Sequence, residues 1–444
     1  MALFDSIYLS DEMSEIFSEK AQVQAWLDVE AALARAQSAV GLIPVQAAKR
    51  ITEAASVTNI DLSALRRATA ALGWPILPLV RHLAGLFDDE TAGYIHWGAT
   101  TQDIMDTALI LQFRRAFNAV DRDLTTIQQT LISLADRYRS VLMPGRTHGQ
   151  HALPLTFGFK VSVWLDEVTR GRKRLAEAYP RIFVLQFGGA VGTLASLGSQ
   201  GLAVRSALAA ELGLMEPSIS WHVSRERLAE TYWLAASIAT TADRIAQEVS
   251  LLMKTEVGEL AEPAVQGRGG SSTMPQKRNP VTCELVATCA AAARREVMAG
   301  LDSMLHDHER GMGAAHQEWY LTPWGIPRAG TAVSHLNSIL KDLIINTERM
   351  QTNIGLTKQM LLSEAVMMEL AKHVGRQQAH SLMKSVCQRA VSEDRTLKEV
   401  VDETTEIREV LPPEVLSECL NPARYLGVAN AMIDAVIMDA KTTI

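Results

Sequence analysis

Three polar clusters in this sequence carry the residue types that hold anions and move protons. The densest runs Gly270-Ser271-Ser272-Thr273-Met274-Pro275-Gln276-Lys277-Arg278-Asn279-Pro280, with Gly267 and Gly269 just upstream. Glycine admits backbone conformations that other residues resist, while proline restricts φ and removes a donor. The segment reads as a shaped loop, pliable at one end and stiff at the other, that presents hydroxyls, Lys277 and Asn279 from a helical scaffold. A second cluster is His96-Trp97-Gly98-Ala99-Thr100-Thr101-Gln102-Asp103, and a third is Gly145-Arg146-Thr147-His148-Gly149-Gln150-His151. Each lies where a long helix begins or a glycine breaks the pattern. A helix start offers unpaired N–H groups and the positive end of a dipole, which favour a carboxylate. The hydroxyls of Thr100 and Thr101 would add donors beside such amides. Plainer readings stand next to these. Thr100 to Asp103 equally suits a helix N-cap. His148 and His151 taken alone suit hydrogen-bonded structural positions. Ser271-Ser272 alone would suit a linker, but the Lys277-Arg278-Asn279-Pro280 that follows argues for a working loop.

Other chemistries lack their patterns. His306 and His308 would point apart on a regular helix, and with His316 they do not make the spacing usual for zinc, so no metal is expected. Gly188, Gly189 and Gly192 follow a possible strand at Ile182–Phe187, without the GxGxxG spacing or strand–helix alternation of a dinucleotide site. They are expected to form a packing turn. The phosphate loop GxxxxGK[ST] is absent, and no cofactor is expected.

The elements that must position these clusters read as helices almost throughout. Ala21 to Val40 repeats apolar positions at helical spacing (Trp26, Val29, Leu33) and stops at Gly41 and Pro44. Further helices are predicted over Asp106–Tyr138, over Leu155–Tyr179 with Pro180 closing it, over Arg225–Leu260, and from Cys283 to about Leu305. These far exceed the mean helix of about 11–12 residues and suit a bundle. The Arg225–Leu260 segment has small and apolar residues around much of its circumference, including Ala235, Ile238, Ala239 and Ala242. Such a helix should be buried, which predicts an obligate oligomer with a shared helical core. The expected fold is all-α with three domains: an N-terminal helical domain over 1–105, a long-helix bundle over 106–350 carrying the loop 262–282, and a small helical domain over 351–444, where Pro412-Pro413 and Asn421-Pro422 break the pattern.

Composition narrows the partners. The 444 residues are 48% hydrophobic and 21% charged, ordinary for a globular protein. A net charge of −7 argues against nonspecific binding to nucleic acid or to an anionic membrane. Apolar runs break before the roughly 18 residues that suggest a membrane span. Met1 to Ser10 has neither a basic start nor an apolar core, so a cytoplasmic location is expected. Cys283, Cys289, Cys387 and Cys419 lack CxxC spacing and read as buried free thiols.

Taken together, the three clusters resemble the motifs of the fumarase/aspartase superfamily. Gly270 to Pro280 is similar to its signature, and His96–Asp103 and Arg146–Gln150 to its other two motifs, in the right order; the resemblance runs from about Phe17 to Gly427. It implies an enzyme, independent of cofactors, that forms a homotetramer around a central helical bundle, each active site combining the motifs of three subunits. The scaffold most resembles bacterial 3-carboxy-cis,cis-muconate cycloisomerases, through Leu27–Ala36, Gly98–Asp103, Leu185–Ala190 and His308-Glu309-Arg310. One motif departs. Those cycloisomerases have Trp-Leu-Gln-His where this chain has Thr147-His148-Gly149-Gln150-His151, with an added histidine where adenylosuccinate lyase, argininosuccinate lyase and fumarase have theirs. The stretch Gly311–Ala315 does not match the serine-rich counterpart in adenylosuccinate lyase itself.

The resemblance implies removal of a proton next to a carboxylate, then loss of a group from the neighbouring carbon. Ser271 matches the general base, Lys277 supplies positive charge, and His148 is the candidate acid for the leaving atom. Substrate binding is expected from His96, Thr100, Thr101, Gln102, Arg146, Thr147, Gln150, His151, Ser272, Met274, Asn279 and Arg310. Because function follows the site and not the scaffold, C–N elimination or addition on an N-substituted aspartate ranks above lactone chemistry. The outcome would be a lyase, or an epimerase such as iminodisuccinate epimerase if the amine re-adds to the other face. A lens-type structural relative without activity is the non-enzymatic alternative.

Overall fold

The structure, a computed structural model, describes residues 5–263, 269–270, 273–311, 313–321 and 324–443. The architecture is all-α. The principal elements are α1 (Glu19–Ala39), α2 (Thr101–Arg137), the strands β1 (Leu142–Thr147) and β2 (Gln150–Thr156), α3 (Phe157–Ile182), α4 (Glu226–Leu252), β3 (Leu260–Ala261), α5 (Val281–Asp302), α6 (Ala314–Leu321), α7 (Gly325–Lys341), β4 (Ile344–Ile345), α8 (Thr347–Gly355), α9 (Ser363–Val374), α10 (Arg376–Ser392) and α11 (Leu397–Glu403). β1 and β2 form one antiparallel hairpin, and β3 and β4 a second, minimal antiparallel pair.

Two compact units emerge, and the division falls within α2, α3, α4, α5 and α7. The first comprises Met1–Asp123, Gly171–Asp243 and Leu285–His335; the second comprises Leu124–Arg170, Arg244–Glu284 and Leu336–Ile444. In the first, α1 starts where the Ser18 hydroxyl accepts from the Ala21 amide and ends ahead of Gly41, whose φ of 77° suits glycine. Its apolar positions Val23, Leu27 and Val29 are buried with Ile51, Leu79 and Ile104. Full burial of each such side chain stabilises the unit by about 1.5–3 kcal/mol. In the second, Val366 and Leu370 of α9 meet Met383 and Val386 of α10 and Val400 of α11 in a core of their own.

Three local expectations shift. α4 stops at Leu252, because the chain turns at Gly258 (φ 62°) and the Glu259 amide returns to the Leu252 carbonyl at 2.9 Å. α3 runs through Pro180 to Ile182. A proline in the last turn forfeits only one ladder bond, and the Arg181 guanidinium donates to the Glu177 carbonyl there at 2.6 Å. Ile182 belongs to that helix, and of the predicted strand only a single parallel bridge from Val184 to Met215 forms. All four cysteines are free; Cys283 and Cys289 are buried, whereas Cys387 and Cys419 are half-buried. Among the described residues, no helix is long and apolar enough to cross a membrane.

Candidate active site

The first cluster sits at the start of α2, in the first unit. Thr100 occupies the N-cap position, and its amide donates to the Asp103 carboxylate at 3.0 Å. Asp103 is buried and also accepts from the Gly188 and Gly189 amides, each at 2.9 Å, and lies 2.7 Å from His222 Nε2. The diglycine is therefore a packing turn built around one carboxylate. A Cβ on Gly188 would stand 2.6 Å from Ser220 Oγ, which is why glycine is needed. Asp103 thus serves the cap and the turn at once, leaving Thr100 and Thr101 beside a cavity.

That cavity measures about 270 Å3, and its lining includes Thr100, Thr101, Gln102, Arg310, Trp74 and Trp319. Gln102 is held at both ends: its amide donates to the His222 carbonyl at 2.8 Å, and its oxygen accepts from Arg310 Nε at 2.9 Å. The Arg310 guanidinium is oriented by that bond, and its buried Nη2 has no hydrogen-bond partner among the described residues. A buried donor left unpaired costs about 1–3 kcal/mol, so a ligand oxygen here would recover it. His96 lies in the same unit, with Nδ1 2.6 Å from the Oε1 of buried Glu30. Burial pulls the His96 imidazole down, but the charge and hydrogen bond of Glu30, with Asp103, outweigh it and raise its pKa.

Beneath the cavity lies an ion cluster. Fully buried Arg225 donates through Nη1 and Nη2 to Asp106 at 2.6 and 2.9 Å, and through Nε and Nη2 to Glu318 at 2.8 and 2.5 Å. Burial alone would raise the Glu318 carboxyl, but Arg225 overrides it and holds the carboxyl below its ordinary value. This cluster fixes α6, which carries Trp319, against α2, which carries Thr101 and Gln102.

The other two clusters fold in the second unit. Arg146 to His151 forms not a helix start but the end of the β1–β2 hairpin, with Thr147 paired to Gln150. His148 and Gly149 make the two-residue turn, with φ of 52° and 77°. Two consecutive positive φ values define the type I′ turn that matches strand twist. Thr147, His148 and Gln150 are exposed, while His151 is half-buried. Burial and then the Arg146 charge lower the His151 pKa, with Glu259 pulling partway back. The Arg146 guanidinium is engaged: Nη1 and Nη2 donate to the two oxygens of fully buried Glu259 at 2.9 and 2.6 Å. Asn353 Nδ2 adds a third bond to Glu259 at 2.7 Å.

Ser271 and Ser272 lie outside the described residues. Around them, the Asn279 amide donates to the Gly269 carbonyl at 3.0 Å, and Gly270 bridges Arg278. Met274 and Lys277 are exposed and Asn279 is half-buried. Buried Glu262 ties the start of this segment to the start of α5, accepting from the Thr282 and Cys283 amides at 3.2 and 3.1 Å. The structure therefore brings His96, Thr100, Thr101, Gln102 and Arg310 together in one unit. It places Arg146, Thr147, His148, Gln150, His151, Met274, Lys277 and Asn279 in the other. His306 is buried and accepts the Gly311 amide at 3.3 Å. Among the described residues, no three His, Cys, Asp or Glu side chains could hold a metal together.

Sequence reasoning misses the supporting charges Glu30, Asp106, Arg225, Glu259, Glu262 and Glu318. Their only signal is a charged residue inside an apolar stretch, such as Glu30 in Val29-Glu30-Ala31-Ala32-Leu33. A buried charge requires a partner, but the partner's position is invisible in sequence.

Comparison with known proteins completes the description. The family model described as lyase matches residues 8–294, and the one described as adenylosuccinate lyase C-terminus matches residues 359–436. The chain is 41% identical to 3-carboxy-cis,cis-muconate cycloisomerase of Pseudomonas aeruginosa, covering 98% of this chain and 96% of the relative. It is 36% identical to N-acetyl-S-(2-succino)cysteine lyase of Enterococcus italicus, covering 96% and 93%. The crystal structure of 3-carboxy-cis,cis-muconate lactonizing enzyme from Pseudomonas putida superposes with a TM-score of 0.94 at 38% identity, covering 100% of both chains.

Proposed function

We infer the reaction from one premise: the chain belongs to the lyase family and is an enzyme of the fumarase/aspartase superfamily. It catalyses reversible elimination and addition across a fumarate-type double bond, with cleavage or formation of a C–N bond on an N-substituted aspartate or aminodicarboxylate. One observation carries the choice of nitrogen. His148 is exposed on a two-residue turn, between Thr147 and Gln150, where an imidazole is open to a leaving atom. An imidazole can serve as a general acid, which suits protonation of a departing amine.

In this reading Ser271 takes the proton from the carbon next to a carboxylate, and Lys277 and Asn279 hold that carboxylate as negative charge builds on it. The main barrier is the carbon acid, so electrostatic stabilisation supplies most of the rate. Thr100, Thr101 and Gln150 bind a second carboxylate, together with Arg310, whose buried Nη2 has no hydrogen-bond partner among the described residues and which lines the cavity beside the two threonines. His148 protonates the leaving nitrogen, and His151 assists. A free amine that stays bound and re-adds to the opposite face gives net epimerisation. The protein acts as a homotetramer whose sites combine the three motifs from different subunits, and it works in the cytoplasm.

A second reading, lactone-forming cycloisomerisation of carboxymuconate, is favoured by the 41% and 38% identities to proteins named for that activity. Incubation with N-succinyl amino acids, read by the absorbance of the fumarate formed, and with carboxymuconate, read by loss of its own diene absorbance, separates the two. Fumarate from the succinyl compounds, lost by about 10²–10⁴-fold in His148→Asn, is the expected result. Turnover of carboxymuconate alone would replace nitrogen with the lactone oxygen.

A further inference from the structure

Trp74 and Trp319 belong to no motif of the sequence, yet both line the cavity beside Thr100, Thr101 and Arg310. Their ring centroids are 5.1 Å apart, at 85°, and His316 packs on both, at 4.9 and 4.7 Å. Trp74 is exposed and precedes Pro75, which biases its backbone away from the helical region. Trp319 follows Glu318, which two hydrogen bonds hold on buried Arg225. The cavity is small: at about 270 Å3 it lies below the range of roughly 300–1,000 Å3 that takes drug-sized ligands.

We propose that Trp74 and Trp319 form a size-selecting wall, which restricts this enzyme to compact dicarboxylates whose nitrogen substituent is short. This rests on the reading that Thr100, Thr101 and Arg310 hold a substrate carboxylate. With that carboxylate anchored, the part of the molecule that enters this cavity lies against two indoles. The indoles lean on each other and on His316, so neither can swing aside without breaking a ring contact. A bulky substituent therefore meets a braced surface, while a short one fits under it.

The test measures binding of succinate, N-acetyl-L-aspartate and N-benzoyl-L-aspartate by calorimetry to the full-length protein and to Trp74→Ala and Trp319→Leu. The wild type should bind the first two and discriminate against the benzoyl compound by about tenfold or more. Trp74→Ala should remove that discrimination and leave succinate within about twofold, since a steric wall opposes only the larger ligand. Trp319→Leu checks the result with more of the wall's volume retained, and thermal melting confirms that both variants fold. An unchanged acetyl-to-benzoyl ratio in both variants, equal weakening of all three ligands, or no binding of any probe to the wild type would overturn the wall. The reaction is read separately, by fumarate release from N-succinyl amino acids. A shifted size preference without fumarate sinks the C–N reading and leaves the wall standing. Fumarate release with an unshifted preference does the reverse.

Discussion

Glu259→Gln is the sharpest perturbation of the hairpin that carries His148. The carboxylate is fully buried and accepts two bonds from Arg146 and one from Asn353. Removing one partner of a buried pair costs about 3–5 kcal/mol when the other charge is stranded. Glutamine keeps the volume and one acceptor, and the Arg146 side chain is 19% exposed, so water reaches it. The loss should therefore fall near 2–3 kcal/mol, about the value of one or two hydrogen bonds to a charged group. The consequence for rate is larger than for folding. Arg146 lies two residues before His148 on the same strand end, and its fork is what fixes the turn to α8 and to the segment before β3. A misplacement of about 1 Å at a reacting group can cost about 10²-fold.

The assay pairs thermal melting with kcat and KM for fumarate formation and with amide exchange over Leu142–Thr156. Melting should drop by several degrees, exchange in the hairpin should accelerate, and kcat should fall about 10²-fold with little change in KM. The pH profile adds a readout that mere loosening would not give. Glu259 is the group that pulls the His151 pKa back up, while burial and Arg146 push it down. Without that carboxylate, a limb due to His151 should move to lower pH. A Glu259→Gln enzyme with native kcat, native exchange and an unmoved profile would refute the positioning role.

Three further outcomes are expected. Gly158→Ala should destabilise strongly, by at least about 2–3 kcal/mol, because the added Cβ would stand 2.5 Å from the Ala135 carbonyl oxygen and 2.6 Å from Arg139 Cα, backbone that cannot yield; chemical denaturation measures it. The His96 pKa is raised by Glu30 in the folded protein, so its contribution to stability is full below the ordinary imidazole value and is lost as pH rises through the raised one; melting scans across that window should show a decline that Glu30→Gln flattens. Prolonged chelation should leave fumarate formation unchanged, and an activity restored only by added zinc would sink the metal-free mechanism.

The long helices are legible because alanine and leucine recur at helical spacing and because Gly41 punctuates the first of them, although α2 begins at Thr101 and not at the expected Asp106. Misreadings arise where tertiary contacts decide. Pro180 reads as a stop but is absorbed in a final turn, and the segment after Leu252 has helical composition yet bends at Gly258. The hairpin is the instructive case. Thr147-His148-Gly149-Gln150 has a glycine in a turn, but the strands on either side include Pro144 and Pro154, which weaken any strand reading. Both prolines are nonetheless accommodated, because the ladder has only two strands and breaks register between Pro144 and Arg146. Sequence gives the chemistry of the tip without the strand geometry that presents it.

The same asymmetry runs through both units. Residues that meet a ligand announce themselves by type, since hydroxyls, amides and imidazoles cluster in few places. Residues that hold them are single charges whose partners lie far away in the chain, such as Arg146 with Glu259, Arg225 with Asp106 and Glu318, and Asp103 with His222. Arg225 braces the helix bearing Trp319, and Glu259 braces the turn bearing His148. Substitutions at the contacting residues should therefore change which molecule reacts. Substitutions at the buried charges should lower turnover, and those at Asp106 or Glu318, which line the cavity and hold the helix of Trp319 through Arg225, should also relax the size preference.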